Sequence, residues 1–75
     1  MTAKIEWFSI PAYSQYEINY AGEVRALNGE LQTLHTDAGA HHYHLQSDYG
    51  GRPTLMYKHE MLDELYERIK LKFYD

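Results

Sequence analysis

Apolar and polar residues trade places along this chain with two different periods. As far as residue 57 they alternate over short stretches, the period of a strand. Beyond it the apolar positions recur every three or four residues, the period of a helix. Tyr16-Glu17-Ile18 reads as a short strand and Asn19-Tyr20-Ala21-Gly22 as a turn. Glu23 to Leu27 alternates, with Val24 and Arg25 on opposite faces. Asn28-Gly29 is the favoured pair for a two-residue type I′ hairpin turn, which needs positive φ at both positions. Glu30 to Leu34 then returns as the partner strand. Thr36 to Gly39 reads as a loop. His41 to Gln46 is a further strand, with Tyr43 and Leu45 on one face and His42, His44 and Gln46 on the other. Asp48 to Gly51 turns the chain, and Thr54 to Tyr57 forms the last strand, with Pro53 tolerated at its start.

Leu62, Leu65, Ile69 and Phe73 then form one helical stripe, widened by Met61 and Tyr66. Acidic Glu60, Asp63, Glu64 and Glu67 come early and basic Arg68, Lys70 and Lys72 come late, an order that complements the helix dipole. Glu64 and Arg68 form an i, i+4 pair. A lone helix of ~15 residues is marginal in water, so the stripe is expected to dock on the sheet. The pattern predicts an α+β fold over residues 1–75 as a single domain. It has an antiparallel sheet of about four strands built from hairpins across 16–57, with a helix over 59–73 packed on it.

Composition narrows the function. The chain has 75 residues, a formal net charge of −4 and no cysteine. Disulfide scaffolds and cysteine zinc fingers are therefore excluded. No apolar run approaches the ~18–20 residues that span a bilayer, and no signal peptide is visible, so a cytoplasmic protein is expected. Seven Lys and Arg face eleven Asp and Glu. Autonomous nucleic-acid binders carry the opposite balance, because neutralising phosphates drives their affinity. Protonation of all five histidines would take the charge from −4 to +1.

One stretch resembles a known signature. Ile10-Pro11-Ala12-Tyr13-Ser14-Gln15-Tyr16-Glu17-Ile18-Asn19-Tyr20-Ala21-Gly22-Glu23-Val24-Arg25-Ala26-Leu27 is similar, without a gap, to the opening of the NUMOD-type module, I-P-G-[FY]-x-x-Y-E-V-S-x-x-G-x-V-R-S-L. Trp7 matches a Trp upstream of that signature. His59-Glu60-Met61-Leu62-Asp63-Glu64-Leu65-Tyr66 resembles the H-R-L-V-A-x-A-F stretch that opens the helix of such proteins. These short modules accompany HNH homing endonucleases, often in phages, and touch DNA while the attached nuclease cuts. The resemblance implies the α+β fold, a bacterial host cell as the setting, and a module standing without its nuclease. It also exposes two reversals of sign: Glu23 and Glu60 stand where relatives are commonly basic, and the segment before the helix contributes only Arg52 and Lys58.

Few residue sets carry chemistry. His41-His42-Tyr43-His44, with His59 downstream, invites comparison with an HNH nuclease, but the asparagines Asn19 and Asn28 both lie upstream of the run. His42 and His44, sharing a strand face, are weak candidates for a metal, with Asp48 nearby; zinc wants three or four ligands. Ser9, Ser14 and Ser47 lack a nucleophile context, and no cofactor is implied. Of eight tyrosines, Tyr16, Tyr43 and Tyr66 are expected to pack inside, leaving Tyr20 beside a turn and Tyr49 at a hairpin tip exposed. Tyrosine is enriched at interface hot spots. The expected function is a non-enzymatic regulator that binds a host protein of the nucleic-acid machinery, RNA polymerase first and a nuclease second. Tyr20, Glu23, Tyr49, Glu60, Asp63, Glu64 and Glu67 would form the binding surface. The alternative is a duplex-binding module with Arg25, Arg52 and Lys58 on phosphates; a metal-dependent HNH-like nuclease is the remote third.

Overall fold

Local alternation explains why each strand lies where it does. The computed structural model describes residues 5–74, with side chains described for residues 5–70. Through them run β1 (Phe8–Ser9), β2 (Tyr16–Ile18), β3 (Val24–Ala26), β4 (His35–Asp37), β5 (Ala40–Leu45), β6 (Thr54–Tyr57) and α1 (Lys58–Tyr74). All strand pairings are antiparallel. The described strands form two sheets, β1-β2-β3 and β4-β5-β6. The α+β class is as expected, but the hairpins divide between two sheets instead of sharing one. No described helix is long and apolar enough to cross a membrane.

In the first sheet Ile18 pairs with Val24 on one side and Phe8 on the other. Ile18 and Val24 are fully buried, while the alternate pair Glu17 and Arg25 turns to the opposite face. In the second sheet Tyr43 stands opposite Met56 and Leu45 opposite Thr54, with Tyr43 and Leu45 buried. The other face carries His35, His42, Tyr57, His44 and Leu55. α1 follows β6 directly and packs on β5 and β6. Met61 and Leu65 complete a core with Ile10, Ile18, Val24, Tyr43 and Leu45, and Leu62 and Ile69 pack at its edge.

Polar contacts join the two sheets. The buried Tyr43 hydroxyl donates to Gly22 O at 2.8 Å. Gln46 N donates to the Tyr16 hydroxyl at 3.1 Å, and Ser14 N and Oγ both donate to Asp48 Oδ1 at 3.0 and 2.8 Å. Gly22 has φ 83°, and a Cβ there would run into the Lys58 stem and come within 3.1 Å of Leu62 Cδ1. Only glycine fits this close approach of loop to helix.

Several expectations need correction. Glu30 to Leu34 is not a full strand: it makes a single bridge, Leu31 to Arg25, flanked by Ala26 N to Glu30 O and Gln32 N to Val24 O. Leu27 is 64% and Leu31 59% exposed, so no covered apolar face extends the pairing. Asn28-Gly29 does not form a type I′ turn, because Gly29 alone of the pair has positive φ. The chain instead makes a three-residue loop, with Gly29 N bonded to Ala26 O and Glu30 N to Asn28 Oδ1. The type I′ signature appears where a loop was expected: Ala38 and Gly39 have φ 51° and 82° and close the β4–β5 hairpin. Tyr66 is 47% exposed, outside the core it was expected to join. The helix runs one residue further at each end than 59–73, and the expected roles of Lys72 and Phe73 fall outside the described side chains.

Candidate functional site

Asn19 builds the loop on which the site rests. Its buried side chain accepts from Ala21 N and Glu23 N at 3.0 Å each and donates to Glu23 Oε1 at 2.9 Å. Its backbone closes the same loop through Gly22 N and Glu23 O. So fixed, the loop presents Tyr20 beside the helix. The Tyr20 and Tyr66 rings lie nearly parallel, 14° apart in tilt, with centroids 6.4 Å apart. The Tyr66 hydroxyl donates to Tyr20 O at 3.0 Å, and Phe8 meets the Tyr20 ring edge-on at 5.1 Å. Both tyrosines stay about half exposed.

Acidic groups lie beside Tyr20 and along the exposed side of the helix. A cleft of about 300 Å³ beside Tyr20 is lined by Ile5, Glu6, Asn19, Ala21 and Glu23. Asp63 lies one helical turn before Tyr66, and Glu67 follows it; both are exposed. Tyr20 and Glu23 share this cleft, whereas Asp63 and Glu67 lie on the exposed side of the helix that carries Tyr66. Glu60, two turns before Glu67, and Glu64 also lie on the exposed side of the helix, and Glu64 Oε1 sits 3.1 Å from Arg68 Nε, an ion contact not aligned for a hydrogen bond. Tyr49 is 88% exposed at the tip of the β5–β6 connection, apart from the tyrosine pair. Tyr66, Phe8 and Glu6 are additions. Tyr66 lies three residues after exposed Asp63 and four after half-buried Leu62, so helical projection puts it at the edge of the apolar stripe.

The cations are distributed differently. Arg25 Nε donates to Glu17 Oε1 at 3.0 Å, and its guanidinium lies 4.0 Å from the centre of the Trp7 ring. Arg68 Nη2 donates to Ser9 O at 3.0 Å. The Lys58 stem lies against Gly22, and Arg52 is exposed between β5 and β6. Arg25, Arg52 and Lys58 therefore sit on a strand, a connection and the helix start.

The histidines make a second group. His35, absent from the sequence-based set, stands opposite His42 across β4 and β5. Ring centroids are 5.4 Å apart for His35 and His42, 4.9 Å for His35 and His44, and 5.0 Å for His42 and His44. His42 is 7% exposed, ringed by these neighbours and by Tyr57 at 6.3 Å. His41 points to the opposite face, its Nδ1 2.9 Å from Thr36 Oγ1. Asp48 is taken up by Ser14, and Asn19 by its own loop, so neither joins the imidazoles. Among the described residues no group of three or more His, Asp or Glu side chains, as placed, could hold a metal ion. Burial pushes the Tyr43 phenol above its ordinary 10.0, and the Glu23 carboxylate adds to this against an opposing backbone hydrogen bond at Val24. Comparison of the chain with protein-family models, curated proteins and solved structures finds no match.

Proposed function

We propose that this chain is a non-enzymatic regulator whose Tyr20–Tyr66 patch docks on a basic surface of a protein in the nucleic-acid machinery. One observation carries the reading: two half-exposed tyrosines lie nearly parallel and joined by a hydrogen bond, with Glu6 and Glu23 lining the cleft beside Tyr20 and exposed Asp63 and Glu67 on the helix that carries Tyr66. Rigid aromatic rings give contact area at low entropic cost, and the acidic rim favours a positively charged partner by complementarity. The net charge of −4 acts in the same direction. Arg25, one of the three cations of the phosphate-binding reading, is engaged by Glu17 within the molecule. The resemblance to modules of phage nucleases points to bacterial RNA polymerase as the first target class and a nuclease as the second.

The test is binding to purified bacterial RNA polymerase, followed by interferometry at rising salt. The parent chain is expected to bind and to weaken with salt. The double reversal Asp63→Lys with Glu67→Lys, on exposed positions, is expected to lose about tenfold or more in affinity. If neither polymerase nor a bacterial nuclease binds, the reading fails. Salt-sensitive binding of duplex DNA that is lost on substituting Arg52 and Lys58 would replace it with the phosphate-contact alternative.

A further inference from the structure

The outward face of the second sheet is chemically unlike the rest of the molecule. Strand register brings three imidazoles to one spot: His35 from β4, and His42 and His44 two residues apart on β5. The spacing of the rings is informative. Three imidazoles that each give one nitrogen to a tetrahedral ion at about 2.0–2.1 Å place their ring centres about 5 Å apart. The three separations here, 5.4, 4.9 and 5.0 Å, bracket that value.

Orientation is what the cluster, as placed, lacks. The His35 and His42 rings lie within 17° of parallel, while His44 stands at 82° to both, and together they are not a ready ligand set. Imidazole χ2 is a broad, roughly two-fold torsion, so turning an exposed ring is cheap. His35 and His44 are exposed and free to turn in this way, whereas His42 is enclosed and supplies the fixed member. We infer that His35, His42 and His44 form a divalent transition-metal site that assembles when the ion binds. Imidazole donors select borderline ions such as Zn²⁺, Cu²⁺ or Ni²⁺ over Mg²⁺ or Ca²⁺. Three protein ligands leave the fourth position of a tetrahedral ion to water. The site ties β4 to β5 across the hairpin and lies on a different element from the Tyr20–Tyr66 patch, so it stands or falls separately from docking.

Titration of the purified chain near pH 7.5 tests it. Zn²⁺ is followed by calorimetry and Co²⁺ by its visible spectrum, which is intense for a four-coordinate ion. One equivalent is expected to bind in the micromolar range, with the strong cobalt bands. His35→Ala and His44→Ala are each expected to weaken binding by about tenfold or more. His41→Ala, on the opposite face, is expected to bind as the parent does. The parent alone supplies a second readout that no misfolded variant can confuse. In NMR spectra, Zn²⁺ is expected to shift the imidazole signals of His35, His42 and His44 together, leaving those of His41 and His59 in place. Absence of saturable uptake below millimolar Zn²⁺ overturns the inference. So does uptake unchanged by His44→Ala, or signals that move first at His41 or His59.

Discussion

The Tyr43 hydroxyl bonds the core of the second sheet to the loop of the first, through Gly22 O at 2.8 Å. Tyr43→Phe keeps the ring and removes the bond, leaving a buried carbonyl unpaired at a cost of about 1–3 kcal/mol. Urea unfolding at neutral pH checks this. A pH effect accompanies it. The native chain holds the Tyr43 proton more tightly than the unfolded chain, because the phenol is pushed above its ordinary 10.0. That stabilisation is complete below pH 10 and is lost as pH rises through the native value. Stability of the parent is therefore expected to fall more steeply above pH 10 than that of Tyr43→Phe. Residue by residue, the sequence was a partial guide to the site. Tyr20 and Tyr49 are exposed as their turn positions imply, and Gly22 has the positive φ its place demands. Tyr66 and His35 escaped notice. The first was read as a widening of the apolar stripe, and the second belongs to a strand whose pairing only register reveals.

Turns carry the lesson at the scale of elements. Asn-Gly is the strongest local signal for a type I′ turn, yet Asn28-Gly29 closes a three-residue loop. Ala38-Gly39 adopts the mirror-image geometry although alanine disfavours it. Sheet pairing decides the matter: β4 and β5 meet at Asp37 and Ala40, which leaves two residues to reverse the chain. A β-carbon in the left-handed region costs about 1–2 kcal/mol, so Ala38→Asn, which restores Asn-Gly, is expected to stabilise the protein by about 1 kcal/mol in thermal melts. α1 was legible because its period, charge order and apolar stripe all agree. β5 was legible from its alternation, and Tyr43 and Leu45 are buried as that alternation requires. Asn19–Glu23 was legible only as a turn; its self-contained hydrogen bonding depends on one buried amide that propensity alone does not single out.

At the scale of the molecule, chemistry is sorted by surface. Glu6 and Glu23 lie beside Tyr20, three imidazoles gather on the open sheet, and two of the arginines are held by carboxylates or carbonyls. A net charge of −4 conceals this segregation, which is why composition alone could weigh against nucleic acid yet could not locate a surface. The partition into two sheets was equally hidden, because alternation reports strands and says nothing of which ladder they join. Between the ladders runs the stretch 27–34, exposed except at Gln32 and carrying Leu27, Leu31 and Leu34 at the surface. Each side of it keeps its own antiparallel pairing, and the two sides meet through the shared core and through hydrogen bonds at Tyr43, Tyr16, Asp48, Tyr66 and Arg68. The chain is therefore divisible. Protease is expected to nick it first in this connector. The two pieces, separated and then mixed, are expected to find each other and regain the parent's circular dichroism, so that this small protein behaves as a complementing pair whose reunion could report the proximity of whatever each piece is fused to.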